Sequence, residues 1–227
     1  MVLFSAAGHY NKTMRLAAYG RNVITAVALM CAGFAGAILL AGGGWWGLVP
    51  ILPFAFTLFF FRDPERWTPE GNVVVSAADG KVTAVEETEE AEYLGGRAMR
   101  ISVFLSIFDV HLNRSPVDGT VEYVKHYDGR FLNAMKARSA AENERTCVGI
   151  ATPIGKVLIV QIAGAIARRI KCGVKPGDAL SRGQRFGMIM FGSRTDVYLP
   201  ADKVSITVKP GDTVRAGMSV IAEITNG

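Results

Sequence analysis

Two short stretches of this chain hold side chains able to move protons or make bonds. Phe104-Leu-Ser-Ile-Phe-Asp-Val-His111-Leu-Asn-Arg114-Ser-Pro116 sets a histidine, an amide and a guanidinium directly after an apolar run. Histidine titrates near neutral pH, and an arginine beside it can bind a carboxylate or a phosphate. A lone histidine is more often structural than catalytic, but one at the end of a buried strand beside a cation and an amide is better placed for chemistry. The second stretch is Phe186-Gly-Met-Ile-Met-Phe191-Gly192-Ser193-Arg194-Thr195-Asp196. Its serine follows a glycine at a bend between two apolar runs, where a nucleophile could sit. The Gly-x-Ser-x-Gly spacing of the hydrolase elbow is missing, which argues against an esterase. His9, His111 and His126 are too dispersed for a metal site, and His126 takes a structural or exposed role. Cys31, Cys147 and Cys172 form no Cys-x-x-Cys pair, which reads as reduced thiols rather than a disulfide framework.

The elements around these stretches divide in two. Val23 to Phe61 runs 39 residues without a charge, too long for a signal peptide and long enough for two apolar helices. Gly42-Gly43-Gly44 allows a reversal near its middle, and Trp45 and Trp46 suit a membrane interface. The expected form is a helical hairpin over about 22–41 and 45–61, two spans or one span with a re-entrant piece. Lys12, Arg15 and Arg21 before it, and Arg62 and Arg66 after it, put both ends on the cytoplasmic side by the positive-inside tendency. From residue 70 the texture is β-rich: Val73–Val75, Lys81–Val85, Met99–Phe104, Val121–Tyr123, Lys156–Ile162 and Ala167–Val174, with Gly and Asp as punctuation and a short helix within Lys125–Ala141. Ser76-Ala-Ala-Asp79-Gly80-Lys-Val82 resembles Ser115-Pro-Val-Asp118-Gly119-Thr-Val121. Val174-Lys-Pro-Gly-Asp178 recurs as Val208-Lys-Pro-Gly-Asp212, each with a glycine five residues after the aspartate. These repeats predict a duplicated, hammerhead-like β-sandwich, an α+β chain of two parts: a membrane-anchoring hairpin over 1–61 and a β-rich domain over 62–227.

Charge narrows the partners. The net charge is +5, yet residues 62–227 carry 22 basic against 20 acidic side chains. No basic block with interleaved aromatics appears, so nucleic acid is not an expected partner. Half of the residues are hydrophobic, which excludes a disordered chain.

Several motifs then occur in one order: Phe60-Phe61-Arg62-Asp63-Pro64-Glu65-Arg66, Ala78-Asp79-Gly80-Lys81-Val82, the His111 cluster, Gln161-Ile162-Ala163-Gly164 with Ala167-Arg168-Arg169-Ile170, and Arg185-Phe186-Gly187 through Phe191-Gly192-Ser193-Arg194. Together they resemble the short bacterial and archaeal form of phosphatidylserine decarboxylase, from residue 60 onward. The resemblance implies a pyruvoyl enzyme on the cytoplasmic face of the cell membrane. It implies self-cleavage at Gly192–Ser193 into chains 1–192 and 193–227, with Ser193 becoming a covalent pyruvoyl group. That ketone would form a Schiff base with the amine of phosphatidylserine, release CO2 and yield phosphatidylethanolamine. By position, His111 matches the family's decarboxylation histidine and Asp79 its self-cleavage acid. Arg114 stands where longer members have a second histidine, and is expected to bind the substrate's carboxylate or phosphate. Phe191-Gly-Ser-Arg194 replaces their Leu-Gly-Ser-Thr. The triad of the longer enzymes therefore does not transfer intact: His111 serves both steps, or Asp79 acts without a relay. Self-association stays open, and no metal is implied. Two other readings compete: a membrane-anchored lipoyl- or adaptor-like domain with Lys81 as carrier lysine, and a membrane-bound hydrolase using an intact Ser193.

Overall fold

The computed structural model describes residues 15–132, 142–164, 169–190 and 192–225. Arg15–Leu16 (β1) pairs with Arg62–Asp63 (β2), so both ends of the apolar segment are stitched together. Between them run α1 (Arg21–Leu40) and α2 (Ile51–Phe60). The second helix begins later than the sequence suggests. Gly44–Leu48 forms a 3-10 turn carrying the stacked Trp45 and Trp46, and Pro50 and Pro53 fall at the cap and in the first turn of α2, where a missing N–H is tolerated. Buried side chains are absent from α1. Among the described residues only the Ala18–Leu40 helix is long and apolar enough to cross a membrane; Gly44–Phe60 is shorter.

The β-rich part follows as β3 (Val73–Val75), β4 (Gly80–Glu90) and β5 (Gly96–Leu105). Next come β6 (Leu112–Arg114), β7 (Gly119–Tyr127), β8 (Arg145–Thr152), β9 (Gly155–Ile162), β10 (Ile170–Cys172), β11 (Ala179–Leu180) and β12 (Arg185–Ile189). The chain ends with β13 (Ser193–Pro200), β14 (Val204–Ile206), β15 (Thr213–Val214) and β16 (Val220–Ile224). Of the short helix expected within 125–141, residues 125–127 belong to β7 and residues 133–141 lie outside the described residues. An eight-stranded sheet has the order β11-β7-β8-β9-β13-β5-β4-β15, and two three-stranded sheets are ordered β10-β12-β6 and β14-β16-β3. Their inner faces enclose one core that includes Val82, Ile101, Leu105, Ile150, Ile159, Phe186, Val197 and Ile221.

The duplication suggested by the repeats is written in the hydrogen bonds. Val82 and Val121 donate to the carbonyls of Asp212 and Asp178 at 2.8 and 2.9 Å. Gly217 and Gly183 donate to Ser76 and Ser115, both at 2.8 Å. The Asp79 carboxylate accepts the Ala216 N–H at 2.8 Å, and its twin Asp118 accepts the Arg182 N–H at 2.9 Å. Even the bulges coincide, between Val82 and Ala84 in one half and between Val121 and Tyr123 in the other. One half, β6–β12, is continuous. The other is split into β3–β5 and β13–β16, with the continuous half inserted between its pieces. Where β8 and β9 join through the turn at Thr152–Gly155, their counterparts β5 and β13 are cut apart, and Ser193 stands opposite Leu105. The Gly192–Ser193 bond lies at this seam. Lys81, inside β4 between Phe104 and Thr213, is not at a hairpin tip, which removes the carrier reading.

Candidate active site

Strand β13 is the middle of the large sheet, paired with β5 and β9 on its two sides. Alternation sends Ser193, Thr195 and Val197 toward the core and Arg194, Asp196 and Tyr198 to the opposite face. Ser193 is wholly buried and its Oγ has no hydrogen-bond partner. A buried hydroxyl left unpaired costs about 1–3 kcal/mol, so this oxygen is desolvated and unengaged. The preceding Gly192 has φ 60°, a left-handed backbone that glycine adopts without a Cβ clash.

His111 lies at the start of β6 and is fully buried. Its Nδ1–H donates to the Asp109 carbonyl at 2.9 Å, leaving the Nε2 lone pair to accept the Gly192 N–H at 3.3 Å. Phe60, at the end of α2, lies over the imidazole with ring centroids 4.3 Å apart. Burial lowers the ring's pKa from 6.5 to about 4, with the Asp109 contacts opposing and the Arg62 charge assisting. At neutral pH His111 is therefore an uncharged base, and its Nε2 faces the Gly192 N–H.

A buried polar chain supports β13 from below. Asn113 donates to Thr195 Oγ1 at 3.0 Å and accepts from Gln161 Nε2 at 2.8 Å. Gln161 needs Gly187 beside it: a Cβ there would come within 2.8 Å of its Nε2. On the opposite face Arg194 grips Asp196 through two bonds of 2.6 and 2.5 Å, both side chains buried. Sequence reading did not assign Asn113, Thr195 or Gln161; the available signal was a polar residue inside an apolar strand, as in Leu158-Ile-Val-Gln161-Ile162.

Asp79 and Arg114 are engaged by other protein groups. Both Asp79 carboxylate oxygens are held by Arg66, at 2.5 and 2.6 Å. Asp79 directly precedes β4, whose first residues face the end of β5 where Leu105 pairs with Ser193, and its charge acts on His111. Arg114 donates to the Gly183 carbonyl at 3.0 Å, the Pro64 carbonyl at 3.0 Å and Asp63 at 3.3 Å. Burial, with Arg185 and Arg66 nearby, lowers its pKa to about 10. Arg185 completes this cluster on Asp63 at 2.7 Å and on Glu65 at 3.2 Å. The cluster fastens residues 62–66, the return from the hairpin, to the β domain. It escaped sequence reading because its partners are 50 and more positions apart.

Arg62 was read only as a flanking charge. It donates to the Phe59 carbonyl at 2.7 Å and the Phe108 carbonyl at 2.5 Å, closing over the loop that leads to His111. His126 bonds Thr146 at 2.9 Å in the half-exposed part of β7, a structural setting. The three cysteines are free thiols, and no group of potential metal ligands occurs among the described residues.

A buried, unpaired serine hydroxyl beside a left-handed glycine and a neutral imidazole is a set of groups able to do nucleophilic chemistry. Known proteins resemble this chain over most of its length. Residues 54–222 match the family model described as phosphatidylserine decarboxylase. A phosphatidylserine decarboxylase proenzyme of Carboxydothermus hydrogenoformans is 51% identical over 181 residues, covering 79% of this chain and 85% of the relative. The proenzyme of Symbiobacterium thermophilum is 52% identical over 171 residues, 74% and 79% of the two chains, and that of Desulfotalea psychrophila is 43% identical over 176 residues, 77% and 82%. With a family match across most of its length and relatives at half identity, the chain belongs to the phosphatidylserine decarboxylase family.

Proposed function

We propose that this chain is a proenzyme that cuts itself at Gly192–Ser193 and then decarboxylates phosphatidylserine to phosphatidylethanolamine and CO2. The observation that carries this reading is the buried, unpartnered Ser193 Oγ next to a left-handed Gly192 that is held by His111. Ser193 Oγ attacks the Gly192 carbonyl carbon. The C–N bond breaks as the C–O bond forms, and the proton passes from the hydroxyl to the freed amine, with His111 Nε2 the neutral base at hand. β-Elimination of the ester releases the Gly192 carboxylate and leaves dehydroalanine, and water converts this to the pyruvoyl group and ammonia. Once formed, the pyruvoyl group supplies an electrophilic ketone for the substrate's amine and an electron sink for loss of the carboxylate.

The chain's own residues do the rest. His111 holds and relays the proton that replaces CO2, within a wall closed by Phe60. We assign His111 to both steps, which answers the absence of a second histidine. Asp79 acts through Arg66 as a positioning residue for 62–66, and Arg114 shares that task; its three bonds to protein leave the substrate-binding expectation without support. The apolar hairpin supports membrane attachment, with the β-rich domain on the cytoplasmic side. Ser193→Ala tests the reading: a denaturing gel should show one uncut chain without activity, where the parent shows two polypeptides and no free amine on the smaller. Two bands from the variant would overturn it.

A further inference from the structure

The internal duplication gives every position of the candidate active site a counterpart at the other end of the β9–β13 pair. Gly155 occupies the place of Ser193, and an added Cβ there would lie 3.5 Å from Pro200, at the far end of β13. Asp118 is the twin of Asp79. Val75 and Arg114 are twins, since their N–H groups donate to Pro116 and Ala77, both at 3.0 Å; three residues before each stand Asn72 and His111. Lys203 is the twin of Arg169, its carbonyl accepting from Thr225 at 2.9 Å as that of Arg169 accepts from Met190 at 3.2 Å. A cavity of about 480 Å³ opens among Asn72, Asp118, Thr152, Arg182, Lys203 and Thr225. Those positions are the twin of the active site.

We propose that this cavity is a second, non-catalytic ligand site and that it takes the phosphate group of a small water-soluble phosphomonoester. Chemistry is ruled out by the substitutions: Gly155 has no nucleophile, and Asn72 cannot titrate. Anion binding is favoured by two cations at the rim. Arg182 is braced by Nη1 bonds to the Gly71 and Val73 carbonyls, both at 2.7 Å, and its Nε has no partner. Asp118 engages the backbone of Arg182, not its guanidinium. Among the described residues the Lys203 ammonium meets only the exposed Asp202, at 3.9 Å. The volume lies within the range of small-molecule sites and exceeds what a bare phosphate fills, and Asp118 at the same rim suits an amine on the ligand. The cavity lies about 23 Å from Ser193 along β13, at 3.3 Å per residue, and the hairpin contacts the Ser193 end. The opening therefore faces water, and the ligand is a solute rather than a bilayer lipid.

Calorimetry on the full chain in detergent tests this with phosphoethanolamine and inorganic phosphate as probes. Phosphoethanolamine should bind, and Lys203→Glu, a surface change that leaves self-cleavage and basal decarboxylation intact, should weaken it by about tenfold or more, the usual loss for a charge-assisted hydrogen bond. Arg182→Gln should do the same. Tighter binding of phosphoethanolamine than of inorganic phosphate supports the contact between amine and Asp118. Equal binding by parent and Lys203→Glu, or none to the parent, overturns the proposal. Either result leaves the decarboxylase reading untouched, because that rests on processing and CO2 release.

Discussion

His111 carries the clearest residue-scale expectation, because its geometry fixes its tautomer. With Nδ1–H on the Asp109 carbonyl and Nε2 facing Gly192, the imidazole is a base in the uncut chain. A positioned acid or base contributes about 10²–10⁴-fold. His111→Ala should slow self-cleavage and lower decarboxylation of whatever chain does mature by that range, as followed by gel densitometry and CO2 release. Normal processing and a normal rate would make His111 structural. A pH effect follows from the same burial. The pKa drops from 6.5 to about 4 on folding, so between these values the unfolded chain takes up a proton that the folded chain refuses. The stability present above pH 6.5 is lost as pH falls through that window, by about 3 kcal/mol in all. Urea unfolding at pH 7 and pH 4 should show this loss, and His111→Gln should show less of it. His111 and Ser193 stand out in the sequence as reactive side chains beside apolar runs, and the fold buries both. Arg114 looks free in the sequence for a physical reason: the carbonyls that occupy it, Gly183 and Pro64, come from distant parts of the chain.

Elements, rather than single residues, hold the hairpin's return segment. Arg66, Arg114 and Arg185 converge on Asp63, Glu65 and Asp79, and most of these groups are buried. Removing one member of a buried ion pair costs about 3–5 kcal/mol, since its partner stays desolvated. Here Asp63 keeps Arg185, so Arg114→Met should fall toward the lower end, about 3 kcal/mol. Thermal or denaturant unfolding measures this. The folded fraction should keep a near-normal KM, whereas a residue that bound the substrate's phosphate or carboxylate would raise it strongly. The strands themselves were readable from alternation and turn residues, and the repeats Val174–Asp178 and Val208–Asp212 marked equivalent turns. The insertion of one half into the other was not readable, since a linear repeat does not say which strands pair. Only the register of Ser193 opposite Leu105 reveals that the Gly192–Ser193 bond sits where the twin half has a closed turn.

At the scale of the whole molecule, the apolar hairpin is packed into the candidate site. Phe60 and Phe61 are almost wholly buried against Ala17, Val110, Leu112, Met188 and Met190, and Phe60 closes the face of His111. Composition suggested a self-contained membrane segment over 1–61; the packing joins its last two residues to the site. Each buried phenylalanine is worth about 3–5 kcal/mol against alanine. A chain beginning at Arg62 should leave the membrane fraction, because the apolar surface of α1 is gone. It should also be less stable, process slowly and decarboxylate poorly even a short-chain phosphatidylserine presented in micelles, where membrane attachment no longer limits access. Phe60→Ala in the full chain separates the two effects. Membrane attachment should persist while His111 loses its cover, so water enters, the imidazole pKa rises toward its ordinary value, and kcat falls more than KM changes. The small chain, by contrast, should stay bound after cleavage in every variant that folds, since β13 is hydrogen-bonded on both edges, β15 pairs with β4 in the same large sheet and β16 pairs with β3. If the chain starting at Arg62 matures and turns over micellar substrate at the full rate, the hairpin is an anchor alone and Phe60 is no part of the site.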